Sequence, residues 1–356
     1  MKKKVLLIPL ALLLVVSLVA CAAPTPAPTT TAPAPTTTAP APVEKPTYKW
    51  KLAGALSPEH YSSILAEEFS DRVAELSGDR IQVDVHVGAV LGDWIDVFEE
   101  TMMGTIEIEW GTSYNTIHDP RLNVVWIPYA VTNWEEVMRT YSPGGFIWEK
   151  SDEMNRDLGV VTINSIPDGF IGMGATRLPD SPGDPDVPKN MKIRVWGAIP
   201  PEKLMERFGY LPTVMPWSEV FTSMQQGVVE AVYGGSVIAT YDTLRDVLTH
   251  WLPYRGNYEG LISIMNAELF DSLSAEDQGI VLTAAKEAQD KRMAAAEASE
   301  AEFTQKFADY GVEVVEFSQA EYDNFRAVSA ADVWPALEPI IGKALLDQAI
   351  AAIGGG

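Results

Sequence analysis

Arg194 lies in the run Lys192-Ile193-Arg194-Val195-Trp196, and aromatic side chains stand near it in sequence and in the preceding lobe: Trp110, Tyr114, Trp217 and Tyr233. A guanidinium offers a planar fork to a carboxylate and keeps its charge when desolvated. On a strand, Trp196 shares a face with Arg194. For each aromatic, ligand contact competes evenly with core packing. The hydroxyls of Thr112, Ser113 and Ser236 suit ligand oxygens and helix caps equally. His60 is a further polar candidate, whereas His86, His118 and His250 read as structural or exposed. These types permit recognition more readily than bond-making. The sequence holds no Gly-x-Ser-x-Gly elbow, no His-Glu-x-x-His and no histidine pairing suited to a metal. Glu99-Glu100 and Glu135-Glu136 fall on predicted helices as solvated faces. Asp184 and Asp186 could touch calcium, but a flexible acidic turn fits their Pro-rich loop better. No catalytic residue, metal or cofactor is expected.

The one cysteine, Cys21, follows Leu18-Val19-Ala20. Lys2-Lys3-Lys4 form a basic start, and Val5 to Val16 an apolar run interrupted by Pro9. The Leu-Val-Ala-Cys ending resembles the lipobox of bacterial lipoprotein signals, in which the cysteine becomes the acylated first residue. An uncleaved anchor helix is the competing reading, since Val5 to Ala23 nearly reaches the ~20 residues a bilayer needs. Small Ala20 beside a lone cysteine favours cleavage and lipidation. Residues 1–20 are therefore expected to be a signal peptide, with 21–46 as a tether. From Ala22 to Pro46 the chain is dominated by Ala, Pro and Thr, with Ala-Pro-Thr-Thr-Thr-Ala-Pro written twice in tandem. Such a segment buries no core and reads as polyproline-like, with a reach of roughly 75 Å at ~3.1 Å per residue.

Roughly 310 residues follow the tether, enough for two lobes. The formal charge of −23 becomes −26 without the three leader lysines. So acidic a chain argues against nucleic acid and against adhesion to anionic lipid. It leaves room for an anionic ligand, because one buried arginine can hold a carboxylate. With no cysteine after Cys21, disulfides and thiolate metal sites are excluded from the body.

The elements that would position these residues alternate. Tyr48 to Ala55 reads as a strand, then Pro58 opens a helix with Leu65, Phe69, Val73 and Leu76 on one face, stopped by Gly78. Ile81 to Val87 alternates as a second strand, a helix covers Asp93 to Met103, and Ile106 to Trp110 is a third strand. That order predicts an α/β lobe with a largely parallel sheet, whose ligands sit outside the carboxyl ends of the strands. Ser57, His60 and Gly111 to Tyr114 lie at two such ends. A second unit follows the loop Leu178 to Pro188: strands at 192–196, 211–215 and 228–233, and helices from about Pro200 and Pro216. Glu259 to Met265 is predicted to return to the first lobe. Ser274-Ala-Glu-Asp277 caps a helical stretch reaching about Tyr310. Some 35 residues of helix span about 50 Å, more than the ~40 Å width of a lobe, so this helix is expected to bridge both lobes unless it breaks near Ala294.

Gly78-Asp-Arg-Ile-Gln-Val83, Leu91-Gly92, Met191-Lys-Ile-Arg-Val195, Met215-Pro-Trp-Ser-Glu-Val220 and Met224-Gln-Gln-Gly-Val-Val-Glu230 together resemble one family. It is the substrate-binding proteins of tripartite ATP-independent periplasmic (TRAP) transporters, of the dicarboxylate-binding (DctP) type. The resemblance covers about residues 48 to 330 and is most specific from 191 to 230. It implies an α/β, two-lobe periplasmic-binding-protein-like fold with a hinge and a long spanning helix, closing around an organic acid that is delivered to a membrane permease. Lobe I would comprise 47–170 with about 257–275, and lobe II 171–256. The spanning helix would cover 274–310, with a C-terminal strand and helices over 311–356. In that family the arginine of the Lys-Ile-Arg-Val strand pairs with the substrate carboxylate, a role that falls here on Arg194; a surface strand arginine in an ordinary salt bridge is the alternative. Trp196, Trp217, Tyr233, Gly234 and Ser236 would then line the cleft, with Trp110, Thr112, Ser113, Tyr114 and His60 from the other lobe.

Two departures bear on the ligand. Gly169-Phe170-Ile171 stands where many relatives read Gly-Phe-Arg, and Tyr233-Gly234-Gly235-Ser236 where many read Gln-Glu-Asn-Pro. Losing a charge and opening space with glycines favours a monocarboxylate with a bulkier or less polar body over a C4-dicarboxylate or sialic acid. Other functions with a similar outline are a lipoprotein serving an ATP-driven importer of sugars or peptides, and a module passing its ligand to a sensor kinase. The Met215 to Val220 motif with Arg194 favours the TRAP type.

Overall fold

The computed structural model describes residues 45–354; Cys21 and nearly all of the expected signal and tether lie outside them. Ten strands form the sheet: β1 (Tyr48–Ala53), β2 (Ile81–His86), β3 (Ile108–Thr112), β4 (Val160–Ala175), β5 (Lys192–Val195), β6 (Leu211–Val214), β7 (Ala231–Ser236), β8 (His250–Leu252), β9 (Tyr258–Asn266) and β10 (Glu313–Val314). Their order is β2-β1-β3-β9-β4-β7-β5-β6, with β8 pairing β4 and β10. β1, β2 and β3 run parallel, as do β7, β5 and β6. Between these parallel sets, β9 and β4 run antiparallel to their neighbours.

β4 joins the two parallel sets and was not anticipated. All sixteen of its residues are buried. It pairs with β9 up to Phe170, then changes partner at Ile171 to β7 and, from Met173, to β8. Val161, Ile163 and Ile166 of its first half pack with Trp50, Leu52, Phe69 and Trp110, and Phe170, Ile171, Met173 and Ala175 of its second half pack with Trp126, Tyr233, Leu252 and Tyr258. At Gly172 the approach is close. A Cβ there would lie 2.4 Å from the Trp251 ring and 2.9 Å from the Leu252 carbonyl oxygen.

The helices follow from local chemistry. The helix Tyr61–Ser77 buries Leu65, Phe69 and Val73 and ends on Gly78 in the left-handed region at φ 62°. The helix Trp94–Met103 starts from an Asp93–Asp96 capping box. The third predicted strand of the second lobe is displaced: Val228 to Glu230 leads into β7, and Gly234-Gly235 lies inside the strand instead of ending it. The single helix expected over 274–310 is two, Ala275–Met293 and Ala296–Tyr310, interrupted at Ala294-Ala295. Ser274 caps the first, accepting from the Asp277 amide at 3.1 Å. That first helix packs on the helix Tyr61–Ser77 and on β4, and the second packs on the helix Val237–Leu244 and on β10. Beyond β10 come the helices Gln319–Val328, Trp334–Ile341 and Lys343–Gly354.

The acidic loop of Asp184 and Asp186 carries its own cation. Buried Lys189 donates to the carbonyl oxygens of Asp184 and Val187, and Asp186 accepts from Arg207 at 2.8 Å. The expected flexible turn is thereby a tied one. Overpacking a tight contact costs about 1–3 kcal/mol. Gly172→Ala is accordingly expected to lower the free energy of unfolding by that order, read from urea titration, as Trp251 must shift to admit one methyl.

Candidate functional site

The cavity lies at the carboxyl ends of β3, β5 and β6, as expected for this sheet type. Its volume is about 340 Å³. One wall comes from the start of the helix Trp94–Met103 and the segment Thr112 to Ile117. The other comes from Arg194, Trp196, Gly197 and the segment Val214 to Trp217.

Arg194 is 2% exposed. Its Nε donates to the Met215 carbonyl oxygen at 3.0 Å, and the guanidinium carbon lies 5.3 Å from the centre of the Trp217 ring. No carboxylate of the described residues forms an ion pair with it. Burial brings its pKa down to about 10, opposed by the charges of Glu259 and Asp93. The side chain therefore remains a cation at neutral pH, desolvated and without a counter-ion. That is the electrostatic condition for capturing a small anion.

Six of the sequence candidates line this cavity: Arg194, Trp196, Trp217, Thr112, Ser113 and Tyr114. The other five do not. Trp110 is core, its Nε1 donating to the Ser62 carbonyl at 2.9 Å and its ring 4.8 Å from that of Phe69. Tyr233 stands behind Trp196, stacked at 6.0 Å, with its hydroxyl on Asn257 at 2.7 Å. Ser236 caps the helix Val237–Leu244, accepting from the Ile238 and Ala239 amides. His60 caps the helix Tyr61–Ser77 through Nδ1, and its Nε2 lies 3.4 Å from buried Asp168. Asp168 also accepts from the Tyr61 hydroxyl at 2.5 Å.

Gly234 acts from behind the wall. With φ at 124° and 98°, Gly234 and Gly235 adopt conformations that side chains disfavour. A Cβ on Gly234 would lie 2.7 Å from the Trp196 ring and 2.9 Å from Arg194 Nη1, and one on Gly235 would lie 2.8 Å from Trp217. The space these glycines open is filled by the chain's own arginine and indoles, not left for ligand. Ile171, at the position of the missing second basic residue, is buried in β4 and is not part of the cavity wall.

The structure adds wall residues that were not anticipated: Asp93, Trp94, Phe98, Asn115, Thr116 and Met215. Asn115 and Thr116 simply extend the Thr112 to Tyr114 segment past β3, and following that loop would have reached them. Asp93 spans the cavity. It caps its own helix at the Trp94 amide, 2.7 Å, and accepts from the Ser218 hydroxyl across the cavity at 2.7 Å. Two further bonds join the same walls: Thr116 Oγ1 to the Gly197 carbonyl and the Ile199 amide to Asn123 Oδ1, each 3.0 Å.

Two parallel α/β halves are joined by antiparallel strands, with a desolvated cation in a cavity between strand ends, an arrangement suited to holding a small anionic solute. The comparisons agree. The chain matches the bacterial extracellular solute-binding protein family 7 (DctP) over residues 52–337 and belongs to that family. It is 25% identical over 244 residues to the ectoine/5-hydroxyectoine-binding periplasmic protein of Ruegeria pomeroyi, covering 68% of this chain and 70% of that one. It is 22% identical over 261 residues to the 2,3-diketo-L-gulonate-binding periplasmic protein of Escherichia coli, covering 71% and 76%. Among solved structures, the sugar acid binding protein of Advenella mimigardefordensis in complex with galactonate superposes with a TM-score of 0.80 at 19% identity, covering 88% of this chain and 99% of that one. A TRAP periplasmic solute binding protein from Ralstonia eutropha with bound (S)-2-acetolactate gives 0.78 at 22% identity, covering 86% and 99%. At these identities the superpositions establish the two-lobe fold.

Behind Arg194, buried Glu259 carries a carboxyl raised to about 8, chiefly by burial and then by the Asp168 charge. Its Oε2 has no partner. An acid whose folded pKa exceeds its unfolded value of about 4.3 favours folding while protonated and loses that contribution as pH rises toward the folded pKa. From pH 5 to 8, Glu259→Gln is expected to gain stability relative to the parent chain, by at most about 1.4 kcal/mol per pH unit. The two should nearly coincide only at about pH 4, below the unfolded value. Urea titrations across that range measure the difference.

Proposed function

We propose that this protein is an extracytoplasmic receptor that captures an organic acid and hands it to a TRAP-type membrane permease. The observation that carries this is Arg194: a buried cation in a cavity wall, held by a carbonyl and an indole, with no carboxylate partner among the described residues. The ligand's carboxylate would take the open nitrogens of the fork, while Trp196, Trp217 and Tyr114 sort its remaining body. The two halves, 47–170 with about 257–275 and 171–256, would close about β4 and β9 to trap it. Relatives and structural neighbours whose names record ectoine, galactonate and acetolactate support an organic solute of this size. No covalent step is needed.

The binding test is calorimetric titration of the purified protein against mono- and dicarboxylates, sugars and amino acids. Breaking a buried charge-assisted contact costs about 2–5 kcal/mol, so Arg194→Ala should weaken a carboxylate hit by roughly thirtyfold to several thousandfold. Unchanged affinity would remove Arg194 from the site, and a sugar or peptide hit with silent carboxylates would remove the organic-acid function.

Attachment is part of the same proposal. Cleavage before Cys21 and acylation of its thiol would leave the body on the 21–46 tether at the outer face of a membrane, as the Leu-Val-Ala-Cys ending supports. Cell fractionation checks this: the parent chain should partition with membranes, and Cys21→Ala should appear in the soluble fraction or retain its leader. Membrane-free wild-type protein would refute the anchor.

A further inference from the structure

The two halves meet along two edges of the cavity, and the edges are built differently. At one, the segment Thr112 to Asn123 faces the segment Trp196 to Ile199. Its polar links are the bond from Thr116 Oγ1 to the Gly197 carbonyl and the bond from the Ile199 amide to Asn123 Oδ1. Asn123 is 1% exposed and is itself fixed, its Nδ2 donating to the Pro120 carbonyl at 2.8 Å. Behind these bonds the apolar core runs unbroken from one half to the other. Tyr114, Leu122 and Trp126 share one cluster with Ala198, Leu204 and Met205, and the Trp196 ring meets that of Trp126 edge-on at 5.0 Å.

At the other edge, the start of the helix Trp94–Met103 faces the segment Val214 to Ser218. Among the described residues, the hydrogen bonds that join these two segments both end on one atom, Asp93 Oδ2. Ser218 donates to it from its hydroxyl at 2.7 Å and from its amide at 3.3 Å. No core is shared between Trp94 and the facing segment. Trp94 packs with the cluster of Trp50, Phe69 and Trp110, whereas Met215 and Trp217 pack with that of Val220, Val232 and Trp251. Ser218 and Asp96 are exposed, and Ile95 and Val214 stand 44% and 53% exposed at the rim. Separating a shared core brings apolar surface into water, whereas a solvent-facing hydrogen bond is exchanged for water at small cost. The second edge is therefore the one that yields.

We infer that solute enters and leaves between Asp93 and Ser218, that Ser218 is the positioning residue which latches this gate, and that the edge from Thr116 to Ile199 stays packed throughout. The gate stands close to the cation, because Met215, three residues before Ser218, holds Arg194. This rests on the two halves parting to admit a solute and is independent of which solute that is.

Double electron–electron resonance on the full chain tests this. Cys21→Ala removes the one native thiol, so spin-label pairs can be placed on exposed residues outside the cavity wall. Glu99→Cys with Thr213→Cys reports the gate, and Arg121→Cys with Glu206→Cys reports the packed edge. Ser218→Ala removes the latching hydroxyl and leaves Asp93 to cap its helix. The ratio of long to short distances across the gate should rise about threefold to tenfold, as expected for losing one charge-assisted bond that faces solvent. Ser218→Asp, which sets a like charge against Asp93, should shift the gate further toward long distances. Distances between positions 121 and 206 should be the same in the parent and in both variants. A gate distribution unmoved in both variants overturns the latch, and lengthening at the packed edge overturns the placement of the gate. Because no solute is added, either failure leaves the Arg194 titration to be judged on its own.

Discussion

A guanidinium withdrawn from water and given no counter-ion is expensive, and much of the second half of this protein is arranged around keeping Arg194 in that condition. The Met215 carbonyl takes one N–H, and the Trp217 ring lies against the guanidinium face. Gly234 removes the Cβ that would collide with Nη1. Asp93 lends negative potential without pairing to it. A paired arginine would be cheaper to bury, but its fork would already be occupied. Charge that is stabilised yet unsatisfied is what makes the cavity receptive to an anion.

The segment Met215 to Ser218 ties that charge to the opposite wall. Its first residue holds Arg194, Trp217 supplies an aromatic face, and Ser218 donates across the cavity to Asp93. In four residues the chain links Arg194 to the contact between its halves. The motif Met215-Pro216-Trp217-Ser218 stood out in the sequence, but sequence spacing gave no sign that its serine reaches an aspartate 125 residues earlier.

Much of the architecture was legible because the edge parallel strands alternate or end in clear turn signals. Ile81 to His86 is a clean period-2 run, and Asp93 and Ser274 announce helix starts that the structure retains. β4 was not legible for a physical reason. Both its faces are buried, so alternation vanishes, and Pro167, Asp168 and Gly169 interrupt the run where the strand passes between halves. The break at Ala294-Ala295 was equally silent, since alanine is a strong helix former; Arg292, one residue before the end of that helix, donates to the Pro167 carbonyl at 2.7 Å and ties it to β4. Of the site, the strand residues Arg194 and Trp196 and the loop residues Thr112 to Tyr114 were found by position. Trp110, Tyr233, Ser236 and His60 were drawn in by the same rule, but the strand pleat and the helix caps turn them away from the cavity.

The paired glycines bear on how such a cavity diversifies. Its contour is set partly from behind, by backbone that leaves room for Trp196, Arg194 and Trp217 to recede. A side chain acquired at 234 or 235 would push those groups forward and reshape the chamber while every residue facing the solute stayed the same. Chains compared only by the residues that touch solute would then look alike and bind differently. The means of reshaping this cavity therefore include a pair of residues that stand outside its wall.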